Sequence, residues 1–185
     1  MRKFTFVRTL TIATIAGIAG CETGPEGGVS DSMHRSESRY IGNWRTSTGD
    51  LLMVKDASGD AFTIEHAAPG GNKRYKAYAV DVGGKSMWEV TLFRPEKESG
   101  VPVYNYYLVE GSGDAISATA IRSEWLEKTV KEMNAGSYKS TGDLLPGTGG
   151  AIVKDRAAME AMLERAVKDP SAFGQPETLT RVKSK

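Results

Sequence analysis

The sequence predicts a mainly β protein, an antiparallel up-and-down meander that closes into a small barrel and is flanked by two C-terminal helices. Between Tyr40 and Ile121, short runs of apolar and β-branched residues alternate with polar ones, as in half-buried strands. Turn-forming residues separate these runs, most clearly Gly83-Gly84, which is typical of a two-residue hairpin. After Ile121 the apolar spacing changes to three and four residues, which indicates helices.

The strands follow one another closely. We predict them at 51–55, 61–66, 74–82, 86–93, 103–109 and 115–121. Residues 56–60 and 111–114 are rich in Gly, Asp and Ser, which favour turns. Short connections favour pairing between antiparallel neighbours, so the runs predict a meander rather than a parallel sheet.

Two helices are predicted after the meander. Ser123 can cap the first, whose apolar stripe is Trp125, Leu126, Thr129, Val130 and Met133. A glycine-rich connector spans 137–150, and 151–153 is long enough for one more short strand. Asp155 is expected to cap the second helix, which ends before Pro170.

The N-terminal segment is typical of a secretory signal peptide. Arg2 and Lys3 precede an apolar stretch that ends in Ile18-Ala19-Gly20-Cys21. These last four residues resemble the lipobox of bacterial lipoproteins. The resemblance implies that residues 1–20 are removed, that Cys21 is acylated, and that its lipid (palmitate among the acyl chains) holds the protein on a membrane.

Two other interpretations of this segment stay open. A transmembrane helix needs roughly 20 apolar residues, and this stretch is shorter and is interrupted by Thr11, Thr14 and Gly17. A secretory signal that is cut without lipid attachment is the second alternative. Cys21 is the only cysteine, so no disulfide partner explains its position. By resemblance to Gram-negative lipoproteins, Glu22 after the cysteine implies the periplasmic face of the outer membrane.

Charge argues against one class of partner. The signal segment holds three of the 24 basic residues and no acid, so 21 basic and 23 acidic residues remain, with a net charge of about −2. Nucleic-acid binding needs a basic surface, so we expect no nucleic-acid partner.

The mature chain is long enough for one domain. Residues 22–39 contain only Val29 and Met33 as sizeable apolar groups, which predicts a flexible lipidated tether over 21–39. The barrel domain with its helices is predicted over 40–175, and residues 176–185 are predicted to be a polar tail.

Motifs for catalysis, metals and cofactors are missing from the sequence. His34 falls in the tether and His66 ends a strand, so neither has metal-ligand spacing. We therefore predict a non-enzymatic protein with no catalytic residues, no metal and no cofactor. Two alternatives stay open: a Ser-His-Asp triad built in space around His66, and a calcium ion between Asp56 and Asp60.

Aromatic side chains on the strands are the only indication of a ligand. Tyr78, Trp88, Tyr104 and Tyr106 are weak candidates for lining a cavity in the barrel mouth. The alternative is structural, since Tyr and Trp are ordinary residues of half-buried strands.

The segment Tyr40-Ile41-Gly42-Asn43-Trp44 resembles the Gly-x-Trp start of lipocalin or calycin barrels. Over residues 40–175 the chain is similar to small lipocalin-like domains of bacterial lipoproteins whose function is not established. In lipocalins a basic side chain near the end of the last barrel strand covers the tryptophan, and the resemblance gives that role to Arg122, over Trp44.

The function that this implies is that of a lipid-anchored envelope lipoprotein. Its barrel would bind a small apolar or amphiphilic ligand, or an envelope protein. A structural or assembly accessory, or an inhibitor of an envelope enzyme, is the alternative, and a hydrolase is the third.

Overall fold

The computed structural model describes residues 28–56, 59–68, 71–92, 104–140, 149–153 and 155–183. Its elements in chain order are β1 (His34–Arg35), β2 (Gly42–Arg45), β3 (Leu51–Asp56), β4 (Ala61–Ala68), β5 (Gly71–Val82), β6 (Lys85–Leu92), β7 (Tyr104–Ser112), β8 (Ala115–Ala120), α1 (Ser123–Glu132), β9 (Gly136–Ser140), β10 (Gly149–Val153), α2 (Arg156–Lys168) and β11 (Glu177–Arg181). Short 3-10 turns precede β1, β2 and β11. None of the helices in these ranges is long and apolar enough to cross a membrane.

Eight antiparallel strands form a closed barrel, which confirms the predicted fold. Strands β2 to β8 each pair with the next strand in the chain, as in an up-and-down meander. Strand β11 then closes the ring between β8 and β2, with Leu179 opposite Ile116 and Arg181 opposite Trp44.

The closing strand lies where the sequence indicated a polar tail over 176–185, so that boundary is corrected. Leu179 is the only buried residue of β11, and its neighbours Thr178 and Thr180 are exposed. One inward apolar side chain in five residues produces almost no periodic signal, which is why the strand was missed.

Side chains fill the barrel interior. One buried cluster takes members from all eight barrel strands, at alternate positions such as Leu52 and Val54, so it occupies the inside of the ring. Its largest members are aromatic: Trp44, Phe62, Tyr75, Trp88 and Tyr107. An eight-stranded barrel is just wide enough for side chains to fill, and here they do.

A second core lies outside the ring. Buried residues of β5, β6 and β7, such as Val80, Met87 and Tyr106, pack in one cluster with α1 and α2. The helices contribute Leu126, Val130, Met159, Met162, Leu163 and Ala166. The two predicted apolar stripes therefore cover one outer face of the barrel.

The predicted helix ends are right in one case and wrong in the other. Asp155 caps α2, and its carboxylate accepts the backbone N–H of Ala158 at 2.7 Å. Ser123 is the first residue of α1 rather than its cap, and Arg122 takes the capping position without a side-chain hydrogen bond. Strand β9 lies where a connector was expected; it pairs with β10, which contains the short strand predicted at 151–153, and β10 joins β7 at Tyr104.

The N-terminal segment corrects the predicted tether. Val29 is 0 % exposed and Tyr40 is buried, and β1 pairs with the end of β5. Residues 28–39 therefore pack against the barrel instead of forming a free tether. Cys21 and the signal segment lie outside the described residues, as do residues 93–103.

Candidate functional site

Arg181 covers the indole of Trp44 at one end of the barrel. Trp44 is fully buried, and its Nε1–H donates to the carbonyl of Tyr40 at 2.8 Å. The guanidinium carbon of Arg181 lies 4.2 Å from the ring centroid. The same guanidinium donates to the carbonyls of Ile41 at 2.8 Å and Arg39 at 2.6 Å. Arg181 thus joins the last barrel strand to the chain that enters the first.

The prediction that Arg122 covers Trp44 is wrong. It is exposed at the start of α1, and its backbone N–H donates to the carbonyl of Ala172 at 2.7 Å. The basic residue does come from the last barrel strand, but that strand is β11, which follows both helices. The sequence offers only a weak signal for it, the single alternation Thr178-Leu179-Thr180 directly before Arg181.

The four candidate ligand residues do not line one cavity. Trp88 lies in the interior cluster, whereas Tyr78, Tyr104 and Tyr106 belong to the outer core beneath the helices. Strand alternation explains the split, since Tyr78 and Tyr106 have the opposite parity to Ala77 and Tyr107 on their strands.

Trp88 is closely packed by other rings. Tyr40 and Phe62 meet it edge-on, with centroids 5.2 and 5.7 Å away. Its buried Nε1 has no hydrogen-bond partner within the described ranges. This indole N–H is the one polar group of the four candidates that could meet a ligand atom inside the barrel.

The outer core contains a buried carboxyl group that sequence reasoning missed. Glu89 is 1 % exposed, and across the sheet it stands between Tyr78 of β5 and Tyr106 of β7. Its Oε2 accepts the hydroxyl of Tyr106 at 2.8 Å and the backbone N–H of Val29 at 2.9 Å. A glutamate on the face opposite Trp88 and Val90 has the pattern of a solvated residue, so only the tertiary packing reveals its burial.

Burial sets the electrostatics of this group. It raises the pKa of Glu89 to about 7, although the hydrogen bonds from Val29 and Tyr106 favour the charged form. The positive charges of Arg156 and Lys76 act in the same direction as those hydrogen bonds and are weaker than desolvation. Burial also raises the pKa of Tyr106 well above its ordinary value, so its hydroxyl stays a donor.

A small polar cavity lies between the N-terminal segment and the β3–β4 turn. Its volume is about 70 Å³, and Glu37, Ile41, Asp56, Asp60 and Phe62 are among its lining residues. Ligand pockets usually measure roughly 300–1,000 Å³. This cavity therefore has room for waters or a small ion but not for an apolar ligand.

His66 has a carboxylate beside it, and its second ring nitrogen contacts no hydroxyl or thiol among the residues that the structure describes. Its Nε2 lies 3.3 Å from Oδ2 of Asp50, and its Nδ1 is buried without a partner in the described part of the chain. A triad needs a hydroxyl or thiol at the second ring nitrogen. The geometry thus supplies two of the three groups that the hydrolase alternative requires.

Among the residues that the structure describes, no three His, Cys, Asp or Glu side chains gather into a group that could hold a metal ion.

Comparison of the chain with protein-family models, with curated proteins and with solved structures finds no match.

Proposed function

We propose that the protein is a lipid-anchored lipoprotein of the cell envelope, held at Cys21 on the periplasmic face of the outer membrane, whose barrel binds an envelope partner without catalysing a reaction. The acyl anchor is proposed from the order of three features: basic residues, an apolar stretch, and then Ile18-Ala19-Gly20-Cys21. Several acyl chains on one cysteine would hold the protein firmly, because each buried CH₂ contributes about 0.8 kcal/mol.

The packed interior supports a protein partner over a small ligand. Trp44, Trp88, Tyr75 and Tyr107 are all buried inside the ring, where a lipocalin-like ligand would have to sit. Opening a cavity of ligand size would require displacing these rings from a close-packed core. Binding at the outer surface needs no such change.

A small amphiphilic ligand is the second candidate, and Trp88 favours it. An indole N–H that is buried without a partner costs about 1–3 kcal/mol, and a ligand oxygen would recover that energy. Such a ligand would have to enter beside Tyr40 and Phe62, which pack on the indole.

The anchor is tested by metabolic labelling with radioactive palmitate. The native chain should carry the label, and Cys21→Ser should remove it and leave an unprocessed precursor. The matched control is Glu22→Asp, which keeps the cysteine and should keep the label while shifting the protein toward the inner membrane. Undiminished label on Cys21→Ser would contradict the anchor.

The partner is tested by native mass spectrometry of the lipidated chain, purified from membranes after cross-linking. We expect a complex with one envelope protein at a fixed stoichiometry. Recovery of the chain alone with a bound small amphiphile, lost in Trp88→Phe, would instead support the second candidate.

A further inference from the structure

We propose that residues 28–35 form a strap that docks on the outer face of β5–β7, and that Glu89 is its pH-sensitive latch: protonated Glu89 holds the strap, and ionised Glu89 releases it. This goes beyond the proposed function, because it concerns a conformational change of the chain itself.

Several contacts hold the strap. Val29 is fully buried, and its N–H donates to Glu89. The N–H of Ser30 donates to Oε1 of Glu160 in α2 at 2.9 Å. Further along, the ring of His34 stacks on Tyr78 with centroids 4.1 Å apart. The strap also contains β1, whose His34 and Arg35 pair with Val80 and Ala79 of β5, so release must break this short pairing as well.

Gly28 shows how closely the strap covers the carboxyl group. A Cβ at this position would collide with both carboxyl oxygens of Glu89, and the backbone φ of +124° also favours glycine. The strap therefore excludes water from Glu89 while it is docked. When the strap leaves, the carboxyl group meets solvent.

The sign of the pH effect follows from this geometry. Docked Glu89 has a pKa raised to about 7, whereas an exposed glutamate titrates near 4.3. The docked state thus binds the proton more tightly, and docking is strongest below the pKa of the exposed group. It weakens as pH rises through 7 and is constant above about pH 8, with a total change of about 500-fold in the docking equilibrium, of which about a hundredfold falls between pH 5 and pH 8.

The two donors leave a place for the proton. Both Val29 and Tyr106 reach Oε2. Oε1 can therefore carry the proton while both hydrogen bonds to Oε2 persist. Ionisation strengthens those two hydrogen bonds, but it also places a negative charge beneath Val29, away from water. The cost of desolvating this charge is larger than the gain from the hydrogen bonds.

Other charged or titratable groups face Glu89 from every element around it. They are Lys76 and Tyr78 of β5, Tyr104 and Tyr106 of β7, and Arg156 and Glu160 of α2. The positive charges of Lys76 and Arg156 favour ionised Glu89, so they reduce the rise of its pKa without reversing it. Burial raises the pKa values of Tyr104 and Tyr106, so both stay neutral over the range concerned.

The strap carries a second titrating group of opposite sign. Burial lowers the pKa of His34, with Asp31 acting against that shift. Docked His34 therefore binds its proton less tightly than free histidine, and acid favours release at this residue. The two groups oppose each other below about pH 6.5, so the effect of Glu89 must be measured without His34.

Release would lengthen the connection to the membrane. Eight residues span up to about 26 Å when extended, at roughly 3.3 Å each. This consequence rests on the proposed acyl anchor, whereas docking does not. Hydrogen exchange in the strap measures docking itself, so a negative result there is distinct from failure of the proposed anchor.

The test is hydrogen exchange at the Val29 and Ser30 amides of the full chain in detergent, corrected for intrinsic exchange rates, at pH 5 and pH 8. In His34→Phe, which keeps a ring on Tyr78, we expect protection on the order of a hundredfold lower at pH 8. Adding Glu89→Gln should reduce this difference below about threefold. The control is the Arg122 amide, bonded to Ala172, which should not change.

Equal protection of Val29 at the two pH values in His34→Phe would overturn the proposal, as would an undiminished difference after Glu89→Gln. Should Glu89→Gln fail to fold, Tyr106→Phe replaces it. Loss of the Tyr106 donor removes a bond to the charged form, so protection in the His34→Phe background should persist to higher pH. An unmoved pH profile in that variant would overturn the proposal as well.

Discussion

Arg181 lies over the ring of Trp44, its guanidinium carbon 4.2 Å from the centroid, although the two residues are far apart in the chain. The contact joins β11 to β2 at the place where the barrel closes. It explains how a ring whose last strand follows two helices is held shut.

Removing this cation should destabilise the barrel. Arg181→Ala loses the ring contact and the hydrogen bonds to Arg39 and Ile41, so we expect it to lower the free energy of unfolding by about 1–3 kcal/mol. Urea unfolding measures this. The matched control is Arg122→Ala, which should stay within about 0.5 kcal/mol of the native chain. Equal effects of the two substitutions would contradict the assignment.

The pairing itself is measured by a double-mutant cycle. Trp44→Ala should cost about 3–5 kcal/mol, and its coupling to Arg181→Ala should be about 1–2 kcal/mol. Independent sites show coupling below about 0.5 kcal/mol. A value in that lower range would mean that Arg181 acts only through its backbone carbonyl partners.

Strand β11 should be as necessary to the fold as the strands of the meander. Leu179 is buried in the interior core, so Leu179→Ala should lower stability by about 2–5 kcal/mol. Exposed Thr178 on the same strand provides the comparison, and Thr178→Ala should cost under about 1 kcal/mol. Thermal unfolding of both variants decides whether residues 176–183 belong to the barrel or form a free tail.

Close approach of the strap to Glu89 predicts an effect at a single glycine. Gly28→Ala places a Cβ against the carboxyl group, so it should weaken docking and expose the Val29 amide to exchange. Gly49→Ala is the matched control, because its φ is also positive but its Cβ would meet nothing within 4 Å. Backbone strain alone would raise exchange to a similar extent at the residue that follows each glycine, so a larger rise at Val29 in Gly28→Ala than at Asp50 in Gly49→Ala identifies the collision with Glu89.

Stability should also depend on pH through Glu89. Its pKa is about 7 in the folded protein and near 4.3 when exposed, so its contribution is fully present below pH 4 and is lost as pH rises through 7. Above that, the native chain should be less stable than Glu89→Gln by about 3–4 kcal/mol. Chemical unfolding at several pH values measures the difference, and parallel profiles for the two proteins would count against the buried carboxyl.

Local patterns in the sequence were enough for the meander and the helices. Gly83-Gly84 forms the predicted turn between β5 and β6, and Asp155 caps α2 as predicted. Such signals are short-range, because the spacing of a few neighbouring residues decides between strand and helix. The signal segment ending at Cys21 is likewise an interpretation from local order alone, and it stays a prediction.

The candidate site was predicted less well. The resemblance identifies Trp44 correctly as a ring that a basic side chain covers, but it gives that role to Arg122 in place of Arg181, because periodicity does not show which strand comes last in the barrel. Tyr78 and Tyr106 were expected in a cavity, yet strand parity places both outside the ring. Glu89 was missed, because its burial depends on a segment that precedes it by 60 residues.

The class of fold and the approximate position of most elements can be predicted from the order of residues, since these follow from contacts between near neighbours. The strand that closes the ring, the arginine that covers Trp44 and the carboxyl group that is buried become apparent only in the folded chain. Each of these depends on residues that are distant in the chain and become neighbours only when the barrel closes and the N-terminal segment packs on its outer face. Long-range pairing of this kind leaves no periodic trace in the residues that make it.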